Sequence, residues 1–187
     1  MAPPETLRLS GIVRESIVDG NGLRFVVFCQ GCPHHCPGCH NPQTHDFSGG
    51  KDVPLTRILA EIVKNPLLQG VTFSGGEPFC QAGAFAELAR RIKALPGRLD
   101  VTVYSGYTYE ELARKARTDP DTAALLKAAD YLVDGPYQKD QRDLTLRFRG
   151  SRNQRYLDLR QTLRTGVPTP APERPLPARL RYSNRTA

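Results

Sequence analysis

Residues 32–39 read Cys-Pro-His-His-Cys-Pro-Gly-Cys, so that Cys32, Cys36 and Cys39 place three thiols on one short loop. A four-iron cubane takes one ligand per iron, and three thiolates therefore leave one iron open to another molecule. An open iron allows chemistry on the cluster itself and not only electron transfer through it. The pattern predicts an iron–sulfur site with one reactive iron, and the rest of the chain has to position that loop.

A second interpretation adds Cys29, which lies three positions before Cys32 and would supply a fourth thiolate. Four thiolates can bind zinc or close an iron–sulfur cluster completely. Against zinc, only three residues separate the two Cys pairs, whereas paired zinc knuckles usually lie a dozen or more apart. Against both versions, Cys29 continues the apolar stretch 25–28 and can face the core. The fifth cysteine, Cys80, is expected to be a small buried or loop thiol.

The composition limits the classes of protein to consider. A chain of 187 residues suits one domain with a real core. It contains no apolar run of membrane-spanning length and no secretory leader, so we expect a cytoplasmic protein with no membrane partner. The clustered cysteines argue against a disulfide framework. A cluster with an open iron is also sensitive to oxygen, which implies an anaerobic setting.

The basic balance of the chain, with a net charge of +7, could indicate a nucleic acid partner. Aromatic residues make up only 7% of the chain, and no basic recognition helix is visible. We therefore predict an acidic partner surface or a nucleotide-like ligand, and no nucleic acid.

Strand and helix patterns alternate along the chain, which is typical of a parallel α/β unit. Strands are predicted at 7–14, 24–28, 71–74, 101–104 and 131–133, and helices follow Pro54 and span 84–95, 110–117 and 122–129. Ligands of parallel α/β proteins gather at the carboxyl ends of the strands. The pattern alone does not separate an open doubly wound sheet from an incomplete barrel.

Several chemically informative turns fall at those carboxyl ends. They are the cysteine loop, the turn at Gly75, Gly76 and Glu77, and the strand ends at Ser105 and Asp134. Two adjacent glycines let the backbone pass close to a ligand, where exposed amides and carbonyls can hold an ammonium group. The shared location of these turns supports a ligand site next to the cysteines.

The C-terminal part of the chain differs in composition. Residues 167–187 contain five prolines, four arginines and one acidic residue, which predicts an extended or flexible tail after a domain of residues 1–166. The tail is either a solvated terminus or a docking arm. Arg149, Gly150, Ser151 and Asn153 either bind a partner or form a capping turn that opens a helix through Leu157 and Leu159.

Five segments of the sequence resemble the radical S-adenosylmethionine (SAM) enzymes, and among them the activases that install glycyl radicals. They are 16–28 with the following Gln-Gly-Cys, 39–44 (Cys-His-Asn-Pro-Gln-Thr), 73–78 (Phe-Ser-Gly-Gly-Glu-Pro), 132–137 (Leu-Val-Asp-Gly-Pro-Tyr) and 148–154 (Phe-Arg-Gly-Ser-Arg-Asn-Gln). The last two favour the activases that serve anaerobic ribonucleotide reductase.

The resemblance, over about residues 7–160, implies a fold and a set of site residues. The fold is an incomplete (β/α) barrel of the radical SAM type, with a parallel sheet and helices outside. Cys32, Cys36 and Cys39 would bind one [4Fe-4S] cluster, and Cys29 would not be a ligand. The residues implied for SAM binding are Gly38, Cys39, His40, Gly75, Gly76, Glu77, Ser105 and Asp134.

The resemblance also implies the reaction. A reduced cluster would cleave SAM to methionine and a 5′-deoxyadenosyl radical, which removes a Cα hydrogen from a glycine of the partner. We expect that partner to be the large subunit of anaerobic ribonucleotide reductase, with a one-electron donor such as flavodoxin or ferredoxin. An activase of pyruvate formate-lyase is the near alternative. A four-cysteine electron carrier that includes Cys29 is the alternative from a different class.

Overall fold

A mixed β-sheet organises the computed structural model, which describes residues 4–173. Its strands are β1 (Thr6–Ser16), β2 (Arg24–Cys29), β3 (Lys51–Pro54), β4 (Gly70–Gly75), β5 (Asp100–Tyr104), β6 (Tyr131–Asp134) and β7 (Arg155–Asp158). They lie in the order β3-β1-β2-β4-β5-β6-β7. The central strands β2, β4, β5 and β6 are parallel, and β1, β3 and β7 pair antiparallel with their neighbours.

Helices follow the strands in the described part of the chain. They are α1 (Leu55–Ile62), α2 (Ala82–Lys93), α3 (Tyr109–Lys115), α4 (Pro120–Ala128) and α5 (Leu159–Thr165). Helices α3 and α4 begin at side-chain caps, since Thr108 and Glu111 form a capping box at α3 and Asp119 caps α4 ahead of Pro120. No helix within residues 4–173 has the length and apolar character needed to cross a membrane.

The predicted α/β class with a mostly parallel sheet is confirmed. The sheet is open, with β3 and β7 at its edges. Of the two interpretations of the segment after Phe148, the helix through Leu157 is wrong, because Leu157 lies in β7. Pairing of Leu157 with Leu132 continues the sheet, and the helix begins only at Leu159, where the Asp158 carboxylate accepts the Gln161 N–H at 2.9 Å.

The two faces of the sheet differ in chemistry because side chains alternate along each strand. One set of alternate residues packs with the helices into the hydrophobic core. It consists of Phe25, Val27, Cys29, Val71, Phe73, Val101, Val103 and Leu132. The other face carries Arg24, Thr72, Ser74 and Tyr104. The helical layer therefore covers the apolar face, and the more polar face is left for a site.

Arg24 is the largest fully buried side chain on that polar face. Its guanidinium donates to Thr72 Oγ1 at 2.6 Å and to the Asn21 carbonyl at 2.9 Å, and it pairs with Asp100 at 2.7 Å. A Cβ on Gly20 would lie 2.7 Å from the Arg24 side chain. The glycine-rich turn after β1 thus makes room for a buried charge that fixes residues 17–22 against the sheet.

The first residues of the predicted tail contact the domain. The Asp158 N–H donates to the Thr169 carbonyl and the Ala171 N–H to the Tyr156 carbonyl, both at 2.8 Å. Residues 167–173 therefore run along β7, and the boundary at residue 166 stays a prediction. The rest of the predicted tail, residues 174–187, lies outside the described residues.

We expect Leu88→Ala to lower the free energy of unfolding by about 2–5 kcal/mol, because Leu88 is fully buried where α2 packs on the sheet. The matched control is Leu67→Ala, since Leu67 is 74% exposed and should change stability by less than about 0.5 kcal/mol. Urea or guanidinium unfolding measures both, and equal costs would contradict this description of the core.

Candidate cluster and cofactor site

The main cavity, of about 670 Å³, opens on the polar face at the carboxyl ends of β2, β4 and β5. Cys32, Cys36 and Cys39 all line it. Its walls also include Phe28, Ser74, Gly75, Gly76, Ser105 and Gly135 from strand ends, Ile17, Val18 and Asp19 from the turn after β1, and residues 144–150. The volume is in the usual range for a small-molecule site.

Backbone hydrogen bonds hold the cysteine loop in shape. The Gly31 N–H donates to the Thr44 carbonyl at 2.8 Å and the Cys32 N–H to the His45 carbonyl at 3.1 Å. The Asn41 N–H donates to the Cys39 sulfur at 3.4 Å. The loop therefore folds back on residues 42–45 and directs its thiols to the cavity.

Cys29 is separated from the other three cysteines. It ends β2 on the apolar face, is fully buried in the hydrophobic core and does not line the main cavity. Burial raises the pKa of the Cys29 thiol well above its usual value. This placement fits a site with three thiolates and does not fit the interpretation with four.

The three thiols of the cavity are donors of the kind that an iron–sulfur cluster requires. Burial raises the pKa of the Cys32 thiol to about 11 and also raises that of Cys36, so the charge of bound iron has to favour the thiolates. Within residues 4–173, no three His, Cys, Asp or Glu side chains could hold a single metal ion. In a cubane each thiolate binds its own iron, so the ligands need not converge on one point. The three cysteines fit such a cluster.

Gly75 and Gly76 both line the cavity and pack against the backbone that leads into the cysteine loop. A Cβ on Gly75, whose φ is +98°, would lie 2.7 Å from the Cys29 nitrogen. A Cβ on Gly76 would lie 2.2 Å from the Gly31 carbonyl oxygen. The sequence indicates that glycines allow approach to a ligand, and the structure adds that they also allow two backbone segments to approach each other.

Glu77 lies in the predicted turn, but its side chain does not line the main cavity. The carboxylate is fully buried. It accepts hydrogen bonds from Ser105 Oγ at 3.0 Å, from the Gly106 N–H at 2.9 Å and from the Phe79 N–H at 3.0 Å. It also pairs with His34 Nε2 at 2.7 Å. Glu77 thus connects three loops around the site and presents no free oxygen to a ligand.

His34 lies mostly buried within the cysteine loop, with 15% of its side chain exposed. Its ring lies edge-on to Tyr107, with centroids 4.4 Å apart, and its Nε2 contacts Glu77. Nothing in the sequence indicates these contacts, because Tyr107 and Glu77 lie far away in the chain. His34 joins the cysteine loop to the ends of β4 and β5.

Of three further residues predicted for the site, two line the cavity and one does not. His40 lines it and contacts the Tyr137 ring, with centroids 4.9 Å apart. Ser105 also lines it, while its hydroxyl is bonded to Glu77. Gly38, at φ +74°, is exposed next to the Lys139 side chain and does not line the cavity.

Asp134 is the predicted residue that the structure places elsewhere. Its buried carboxylate accepts the Tyr109 N–H at 2.7 Å and pairs with Arg155 at 3.0 Å. It lines a second cavity of about 590 Å³ and not the main one, although the next residue, Gly135, does line the main cavity. The sequence places Asp134 at the correct strand end, but its two partners direct the side chain away.

Residues 144–150 form a wall that sequence reasoning largely missed. Tyr104 Oη donates to the Phe148 carbonyl at 2.7 Å, and Phe148 has a φ of +63°. Gly150 packs closely against Tyr137 and His40. The only signal in the sequence is the similarity of residues 148–154 to an activase motif, and the structure places part of that motif in the cavity wall.

Comparison with known proteins gives consistent names. The family model described as a 4Fe-4S single cluster domain matches residues 18–157. The anaerobic ribonucleoside-triphosphate reductase-activating protein of Escherichia coli (strain K12) is 35% identical over 150 residues, covering 74% of this chain and 90% of the relative. The protein of the same name from Enterobacteria phage T4 is 31% identical over 142 residues, covering 74% and 85%.

The Haemophilus influenzae protein of that name is 33% identical over 144 residues, covering 74% of this chain and 89% of the relative. Among solved structures, QueE from Escherichia coli is 16% identical, with a TM-score of 0.39, and the likeness covers 55% of this chain and 53% of that chain. That likeness is too weak to bear on the fold.

We expect Gly75→Ala to destabilise the protein more than Gly97→Ala. Both glycines have a left-handed φ, +98° and +107°, so both substitutions carry a strain of about 1–3 kcal/mol. Only Gly75 would bring its Cβ against backbone atoms, whereas Gly97 faces open space. Denaturant unfolding of the metal-free protein compares the two, and equal losses would contradict the close approach of β4 to the cysteine loop.

Glu77→Gln should lower the free energy of unfolding by about 1–3 kcal/mol, because the new amide group cannot accept all the buried donors that the carboxylate satisfies. Glu110→Gln is the matched control, since Glu110 is half exposed and pairs with Arg155 at the surface. Its cost should stay within about 1 kcal/mol. Unfolding curves for both variants decide whether Glu77 has this structural role.

Proposed function

The chain belongs to the anaerobic ribonucleoside-triphosphate reductase-activating proteins and to the 4Fe-4S single cluster domain family, and from that premise we propose that it generates a glycyl radical on such a reductase. It is a radical SAM oxidoreductase with two cofactors, a [4Fe-4S] cluster and SAM. One observation carries the proposal most directly. Three of the five cysteines share one cavity, and Cys29 lies in the core, so a cluster held there has one iron without a protein ligand.

The cluster, when bound and reduced, supplies the electron that cleaves SAM. Cys32, Cys36 and Cys39 hold it at one end of the main cavity. Gly75 and Gly76 line the neighbouring wall with backbone and no side chains, which is suited to the amino and carboxylate groups of SAM. In this proposal these five residues hold the methionine part of SAM.

The aromatic residues of the cavity suit the adenosine part of SAM. His40 and Tyr137 form a tilted pair of rings on the wall, with their planes at 47°, and Gly150 packs against both. Phe28 and Phe148 add apolar surface, which excludes water from the reacting atoms. Because the exclusion of water strengthens electrostatic interactions with a bound ligand, this apolar lining is part of the function and not only of the packing.

Four of the residues predicted to bind the cofactor have a different role in this proposal. They fix the loops and turns around the site and do not touch SAM. Glu77 and Ser105 fix the loops that form the wall, and Asp134 holds the start of α3 to the end of β6. Gly38 permits the tight turn between Cys36 and Cys39. None of these four requires side-chain contact with SAM.

We also propose that the open sheet is an incomplete (β/α) barrel of the radical SAM type, with the helices outside and the cavity inside. The support is the division of the sheet into an apolar, helix-covered face and a polar face. The partner is the glycyl radical subunit of the reductase, and the electron donor is a flavodoxin or ferredoxin. A cytoplasmic location and the absence of nucleic acid belong to the same proposal.

The test is anaerobic. The protein is reconstituted with iron and sulfide, given SAM and a strong reductant, and assayed for 5′-deoxyadenosine. The reductase is then added, and the glycyl radical is measured by electron paramagnetic resonance. We expect Cys36→Ala to abolish both products. Cys29→Ala should keep the cluster and both products, because Cys29 is a core residue.

The outcomes separate the alternatives. A reduced four-iron cluster that yields no 5′-deoxyadenosine and is lost in Cys29→Ala would establish the four-cysteine electron carrier. Cleavage of SAM with a glycyl radical on pyruvate formate-lyase, and none on the reductase, would change the partner and keep the chemistry.

A further inference from the structure

A second opening lies against the cysteine loop, apart from the main cavity. It is a groove of about 560 Å³, lined by Pro37, Tyr137, Gln138, Lys139 and Asp140. We call it the outer groove. Pro37 is exposed in the groove, whereas Cys36 and Cys39 on either side of it in the sequence line the main cavity. Neighbouring residues of one short turn therefore face two different openings.

Tyr137 forms part of the wall between these openings, because it lines both of them. Burial raises the pKa of the Cys36 thiol, and a hydrogen bond from the Tyr137 backbone partly opposes that rise. The Lys139 side chain lies next to Gly38, since a Cβ on Gly38 would come within 3.4 Å of the Lys139 Cδ. Gly38 is exposed and adds no side chain to the wall. A cluster held by Cys36 and Cys39 would therefore be separated from the outer groove by little more than this turn and Tyr137.

The surface next to the outer groove is basic. Lys139, Arg142 and Arg152 are exposed, and within residues 4–173 none of the three side chains forms an ion pair. Backbone contacts hold them close together, since the Arg142 N–H donates to the Lys139 carbonyl at 3.3 Å and the Arg152 N–H to the Gln141 carbonyl at 2.9 Å. Asp140 is the one exposed acidic residue of the segment 138–152. Three exposed cations against one exposed carboxylate suit a partner with an acidic surface.

We propose that the outer groove and these three cations form the docking surface of the electron donor, an acidic one-electron carrier protein. This inference rests on the proposed function. Each cleavage of SAM consumes one electron, which the donor loses and the cluster gains. SAM occupies the main cavity and the reductase reaches it through the cavity mouth, so a donor at the outer groove displaces neither of them.

The two kinds of residue at this surface have different roles. Pro37 and Tyr137 supply apolar contact directly beside the cluster ligands Cys36 and Cys39. The cations around the groove attract the acidic donor and orient its redox centre towards the cysteine turn.

Two variants with three substitutions each test the inference. The groove variant changes the cations beside the outer groove, as Lys139→Gln, Arg142→Gln and Arg152→Gln. The control variant changes one lysine and two arginines that are exposed on the helical layer, as Arg57→Gln, Arg114→Gln and Lys127→Gln. Both variants remove three positive charges from the surface, so they differ only in where the charge is lost.

Each protein is reconstituted with iron and sulfide, and the rate of 5′-deoxyadenosine formation from SAM is measured anaerobically with two reductants. One is reduced flavodoxin below its saturating concentration, and the other is sodium dithionite, a small molecule that needs no docking surface. We expect the groove variant to react about tenfold more slowly with flavodoxin at low salt and at the unaltered rate with dithionite. The flavodoxin defect should shrink at high salt because ions screen exposed charges, and the control variant should match the unaltered protein with both reductants.

An unchanged flavodoxin rate in the groove variant, or an equal loss in the control variant, would overturn the inference. An equal loss with dithionite would also overturn it, because the cations would then act on the site and not on the donor. A lower glycyl radical yield with dithionite would assign the surface to the reductase instead. If the unaltered protein forms no 5′-deoxyadenosine with dithionite, the proposed function itself is contradicted, so the two failures are distinguishable.

Discussion

The buried carboxylate of Glu77 holds the site together. A charge away from water is stable only when its oxygens are fully satisfied, and here the donors come from the cysteine loop, from the end of β5 and from the turn after β4. The Glu77 N–H also donates to the Gly31 carbonyl at 2.8 Å, one residue before the first cavity cysteine. The position of the cysteine loop relative to the strand ends therefore depends on this one residue.

A second buried charge, that of Arg24, holds another loop in place at the opposite end of the strands. It fixes the turn at residues 17–22 against the polar face of the sheet. Because the helices cover only the apolar face, the polar face would otherwise be open to solvent. The turn on one side and residues 144–150 on the other convert that face into a cavity. The cavity is thus a product of the unequal faces of the sheet.

The sequence was most informative where chemistry requires a residue type at a fixed spacing. Three cysteines within eight positions, a Gly-Gly turn after an apolar strand, and alternating strand and helix patterns were sufficient to locate the site at the carboxyl ends of parallel strands. The edge strands β3 and β7 were missed, since short edge strands have weak periodicity and form only because a neighbouring strand offers hydrogen bonds. The helix expected at Leu157 failed for the same reason.

Residue by residue, the sequence determined which atoms can take part in the chemistry, because thiols, glycines and carboxylates have properties that no fold changes. The tertiary structure decided where each of them is directed. Cys29 and Cys32 are near neighbours with the same chemistry, yet strand alternation buries one in the core and the loop that follows turns the other to the cavity. Glu77 and Asp134 likewise lie at the predicted strand ends, but His34 and Arg155, distant in sequence, bind their carboxylates inside the protein. Such pairings arise only when the sheet brings distant segments together.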